Sequence, residues 1–168
     1  MKAEFNSTQM QMLELAYYSA THSPDTSSQN GAIIYDGSRM IGRGFNKLPA
    51  GVRMTDERLN KRPDKYFYFE HAEREAIFDA VRRGKSTVGA TIYCPWAACH
   101  DCARAIIGAG ITRLVRHADR MLGTPDSWMD SVWAGEQMFA EAGVEIIEYR
   151  GSVNADPILV SGQLWSPK

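Results

Sequence analysis

The stretch ATIYCPWAACHDCARAIIGAGITRLVR, residues 90–116, changes structural period twice within its length. Residues 90–94 form a short apolar run and read as a buried strand. Residues 99–109, rich in alanine and isoleucine, read as a helix with Gly108 and Gly110 at its end. Residues 111–116 read as the next strand. The same alternation continues downstream, with a helix over 128–142 stopped by Gly143 and a strand over 144–149. Upstream, residues 72–83 read as a helix stopped by Gly84. Residues 31–35 and 39–45 are apolar runs joined by Asp36-Gly37, a hairpin signal. Residues 8–20 place Met10, Leu13, Ala16, Tyr17 and Ala20 on one helical stripe, with Ser7 or Thr8 as the expected cap. The order predicts an α/β sandwich around a mixed sheet. The helix between the last two strands calls for a parallel pair there.

Two segments resist this reading. Residues 46–69 form a long charged loop with Pro49, Gly51 and Pro63, ending in Tyr66-Phe67-Tyr68-Phe69, too aromatic for plain disorder. Residues 151–168 show no clear period, and a strap packed on the body is the expectation for them. One domain is expected over residues 1–168, with its core over about 6–150 and a tail over 151–168.

The bulk numbers narrow the function classes. At 168 residues, 44% hydrophobic and 23% charged, the composition is that of an ordinary globular domain. No apolar leader or membrane-length run is present, so neither a signal peptide nor a membrane span is expected. A net charge of −1 argues against a broad nucleic-acid surface. Three cysteines, two of them in Cys99-x-x-Cys102, make no disulfide framework, and a reducing cytoplasm fits them best.

The chemistry concentrates in two short patterns, His71-Ala72-Glu73 and Cys99-His100-Asp101-Cys102. They offer three zinc ligands and a carboxylate not needed as a ligand. A structural zinc site closes with four protein ligands, whereas a catalytic one keeps three and leaves a position for water. Zinc lowers the pKa of its water, making hydroxide available as a nucleophile near neutral pH. Cys99 and Cys102, at i and i+3, share a helical face. His71 and Cys99 each open a helix, so two positive dipole ends face the site. Glu73 converges with His71 only in a first helical turn, where it can act as proton shuttle. Cys94, in an apolar strand, reads as core. His22, His100 and His117 read as surface or capping residues.

Four blocks also carry a family likeness. Gly31-Ala32-Ile33-Ile34 resembles V-G-A-hydrophobic, and Gly44-Phe45-Asn46-Lys47-Leu48-Pro49-Ala50-Gly51 resembles G-Y-N-G-x-P-x-G. His71-Ala72-Glu73-Arg74-Glu75-Ala76-Ile77 resembles H-A-E-x-N-A-I. The run from Cys99 to Ile111 resembles P-C-x-x-C-A-K-x-I-I-x-A-G-I, and H-x-E with P-C-x-x-C is the recognised signature of zinc deaminases. Together they resemble the cytidine and deoxycytidylate deaminase superfamily, in its deoxycytidylate branch, over residues 31–149. The resemblance implies a three-layer α/β/α sandwich with a central mixed five-stranded sheet. It implies one zinc per chain on His71, Cys99 and Cys102, with Glu73 as acid and base. It implies that the backbone at Ala72 and around Trp96, Ala97 and Ala98 holds the pyrimidine edge and that Asn46 holds the sugar. Assembly into a homo-oligomer, dimer or hexamer, is also implied.

The chain departs from the pattern at three positions. Ala98 stands in place of proline, and Lys47 replaces glycine in a loop that many members use for nucleoside-triphosphate regulation. Glu75 replaces asparagine, near the sugar and phosphate side, with Lys47, Arg53, Arg58, Lys61, Arg62 or Arg74 as cations to offset it. The expected reaction is conversion of dCMP and water to dUMP and ammonia. Its rivals are a deaminase of a nucleoside, a guanine-type base or a modified pyrimidine nucleotide, an editor of tRNA or single-stranded DNA, and a non-catalytic zinc module.

Overall fold

The computed structural model describes residues 5–168. Its central sheet has five strands, β1 (Gly31–Tyr35), β2 (Met40–Phe45), β3 (Thr91–Tyr93), β4 (Arg113–His117) and β5 (Glu145–Tyr149). Their spatial order is β2-β1-β3-β4-β5. The β1–β2 hairpin and the β1–β3 pair are antiparallel, and β3, β4 and β5 run parallel. The helices are α1 (Ser7–Ala20), α2 (Asp56–Asn60), α3 (Asp64–Tyr68), α4 (Ala72–Arg82), α5 (His100–Gly108), α6 (Ala118–Met121) and α7 (Asp126–Ala142). This is the mixed-sheet sandwich expected from the sequence.

Strand alternation sorts the core into two faces. Ala32, Ile34, Ile92 and Leu114 meet α4, α5 and α7 through Ala76, Ile77, Ala103, Ile106 and Phe139. Ile33, Tyr93 and Val115 face the opposite way, onto Met12 and Ala16 of α1. On β2 the backbone itself is the packing surface. A Cβ at Gly44 would lie 2.2 Å from the Ala72 carbonyl oxygen and one at Gly42 2.4 Å from that of Ala76, so α4 rests directly on the strand.

Five local expectations change. The cap of α1 is Asn6, whose side chain accepts from the Gln9 N–H while the Gln9 side chain accepts from the Asn6 N–H, a reciprocal capping box. The segment over 46–69 is not one loop but carries α2, capped by Thr55, and α3. A short helix, α6, follows β4. The tail forms a hairpin of β6 (Ile158–Val160) and β7 (Gln163–Trp165), with Val153 and Ile158 fully buried against Leu13 and Tyr17 of α1. It is therefore a strap with regular structure, which its short strands conceal. His117 does cap α6 in position, but it is buried rather than superficial, since Tyr17 Oη lies 2.5 Å from its Nδ1 and its Nε2 lies 2.8 Å from the Gly151 carbonyl oxygen.

Candidate active site

His71 is the N-cap of α4 and Cys99 the N-cap of α5, both in extended backbone and neither using its side chain as a cap. The side chains are thereby free to point beyond the helix ends, toward each other. His71 Nδ1 lies 3.5 Å from Cys99 Sγ and 3.5 Å from Cys102 Sγ. A tetrahedral zinc with ordinary Zn–N and Zn–S bonds separates such atoms by about 3.6 Å, so the three donors fit that ion. All three ligand atoms lie within 4.8 Å of one another.

The electrostatics suit a cation. A bond from the Cys102 thiol, reinforced by His71, holds the Cys99 thiol down to about 3 against the effect of burial. Cys102 is pushed well above the usual thiol value, first by that same bond and then by burial. Arg74 Nη1 lies 3.7 Å from Cys102 Sγ, and its Nε pairs with the Glu70 carboxylate, which also accepts from the His71 backbone N–H. Arg74, a candidate phosphate cation in the sequence, is instead placed to offset thiolate charge beside the ligands.

Glu73 occupies the first turn of α4, as convergence with His71 requires, and is 1% exposed. Burial drives its carboxyl above the usual carboxylate range. Its Oε2 has no partner. Glu73, His71 and Cys99 line a cavity of about 430 Å³. Trp96, Trp128, Tyr66 and Phe69 supply aromatic wall, with Trp128 tilted 5.8 Å from the His71 ring and Trp96 anchored by its indole N–H on Thr124.

The cavity gathers Ala72, Trp96, Ala97 and Asn46 of the residues expected around a substrate. Lys47, Glu75 and Ala98 are not among its lining residues. Glu75 is occupied by Lys47 at 3.1 Å and Arg82 at 2.7 Å, and Ala98 belongs to the core. Arg62 does line the cavity, with Nη2 donating to Ser27 Oγ. Arg58 stacks on Tyr68 and Lys61 pairs with Asp64.

Sequence reasoning missed a buried polar group in the same wall. Lys65 Nζ lies 2.6 Å from Asp25 Oδ1, which also accepts from the N–H groups of Ser27 and Ser28. Asn46 donates to Asp25 Oδ2 and to the Ser28 carbonyl while its Oδ1 accepts from the Asn30 N–H. Pro24-Asp25-Thr26-Ser27 carries an Asx-turn signal that could have marked Asp25. Nothing local marks Lys65, whose partner is 40 residues away.

Comparison with known proteins agrees with this geometry. The model of the cytidine and deoxycytidylate deaminase zinc-binding region matches residues 6–118. A human deoxycytidylate deaminase is 34% identical over 140 residues, 79% of this chain and 74% of its own length. An uncharacterised deaminase from the luxG 3′ region of Aliivibrio fischeri is 33% identical over 136 residues, 81% of this chain and 87% of its own. A crystal structure of the dCMP deaminase from cyanophage S-TIM5, in complex with dCMP and dUMP, shares the fold with a TM-score of 0.64 at 22% identity, covering 89% of this chain and 99% of that one. The chain belongs to the cytidine and deoxycytidylate deaminase family and is a zinc-binding hydrolytic deaminase.

Proposed function

We propose that the chain hydrolyses dCMP to dUMP and ammonia, with Glu73 carrying the protons. The observation that supports this most directly is the unpartnered, buried Glu73 carboxylate in one cavity with two of the three zinc ligands. Zinc, when held by His71, Cys99 and Cys102, supplies the Lewis-acid charge that makes water nucleophilic near neutral pH. Glu73 takes one proton from the attacking water and passes it to the ring nitrogen beside the amine-bearing carbon. It delivers the other to the amine, which leaves as ammonia while the carbon keeps the oxygen.

The choice of a mononucleotide draws on the lining. Aromatic faces suit a flat base. Arg62 with the hydroxyls of Ser27, Ser28 and Ser161 forms a donor group suited to a phosphate. Asn46 has only the second lone pair of Oδ1 left for a sugar hydroxyl, because both its N–H groups are committed. Glu75, which motivates an unphosphorylated substrate, is neutralised by Lys47 and Arg82. The human and cyanophage relatives are named for the same substrate. The reading includes a homo-oligomer, supported by exposed Met129 and Trp133 on α7, and a reducing compartment, supported by three free cysteines.

Ammonia release from dCMP, CMP, deoxycytidine and guanine tests it. We expect dCMP to be turned over fastest. No turnover of dCMP beside rapid turnover of an unphosphorylated base would reject it.

A further inference from the structure

Asn30, directly before β1, is 8% exposed and lines the cavity, yet its Oδ1 has no hydrogen-bond partner. Each of its other polar atoms has a partner. Its backbone N–H donates to Asn46 Oδ1, its carbonyl accepts from the Asn46 N–H, and its Nδ2 lies 3.2 Å from Cys94 Sγ. Burial keeps Cys94 a thiol. With the sulfur accepting from the NH2 end, the amide turns its oxygen the other way. Glu73 lines the same cavity. Among the described residues, Asn30 Oδ1 and Glu73 Oε2 are the two buried side-chain acceptors left unpartnered.

The free acceptor at Asn30 calls for a group that donates. Within a cytosine base that group is the exocyclic amine, with two hydrogens. After deamination the same position holds a carbonyl oxygen, itself an acceptor. Opposed to Asn30 Oδ1 it would leave both oxygens desolvated and unpaired. From this juxtaposition we infer that Asn30 is a specificity-determining residue, which accepts a hydrogen bond from the substrate amine and disfavours the deaminated product. The inference rests on the cavity being a site for an amine-bearing base. It adds the reason such a site would release what it makes.

The test uses the zinc-loaded enzyme, reading KM for dCMP and the competitive inhibition constant of dUMP in wild type, Asn30→Leu and Asn30→Ala. The ratio of inhibition constant to KM should fall about tenfold in both variants, the loss expected for one hydrogen bond exchanged for a neutral contact. An unchanged ratio overturns the inference. That includes a parallel rise of both constants, which would place Asn30 on the sugar shared by substrate and product. If wild type does not turn over dCMP, the proposed substrate fails on its own. The same ratio is then read on whichever amino and oxo pair the panel identifies.

Discussion

Glu73 is a residue where shape and charge can be separated. Glutamine preserves its volume and first-turn position but cannot carry a proton. Glu73→Gln should keep about one zinc per chain by metal analysis while ammonia release falls about 10²–10⁴-fold. Surviving activity would remove Glu73 from the mechanism. The Asp25–Lys65 pair behaves differently, because both members are 5% exposed. Asp25→Ala strands a buried ammonium and should cost about 3–5 kcal/mol in urea unfolding, whereas Asp25→Asn with Lys65→Met, which keeps an acceptor for the Ser27 and Ser28 N–H groups, should recover part of it. Equal losses in single and double variants would show that the pair is not coupled. These two groups also mark where sequence reading reached and where it stopped. His71, Glu73, Cys99 and Cys102 were legible because each pattern spans a single helix start. Asn30 and Lys65 were not, and Asp25 carried only an Asx-turn signal, because they acquire a common role only after β1, α3 and the segment before β1 pack together.

At the scale of elements, the seat of α4 on β2 sets the site. His71 and Glu73 ride on the first turn of α4, and the Gly44 backbone lies against that turn. Gly44→Ala should raise α4 from the strand, cost about 1–3 kcal/mol by overpacking, and weaken zinc binding and turnover together. Calorimetric zinc titration beside the ammonia assay checks it, and normal zinc affinity would refute the account. The helix and strand order was readable from periodicity. The short α2, α3 and α6 were not, because helices of four or five residues are too short to display a helical period.

Across the whole molecule, His117 joins three distant parts, with Tyr17 of α1 on one ring nitrogen and Gly151, beyond β5, on the other. The Asp119 carboxylate, 3.5 Å from Nε2, favours the charged ring, but burial outweighs it and lowers the His117 pKa from its ordinary 6.5. The neutral ring therefore stabilises the fold above about pH 6.5, and that contribution fades as pH falls through the lowered folded value. Thermal melts from pH 7.5 to 5 should show a loss that His117→Gln reduces, and identical slopes would exclude His117 as its source. The two helices that start on zinc ligands have a consequence of another kind. With no side-chain cap at His71 or Cys99, a zinc held by His71, Cys99 and Cys102 would tie those helix starts to each other. In a cell short of zinc, newly made chains would carry loose ends at their centre and meet proteases first, so scarcity would thin the enzyme's abundance as well as silence it.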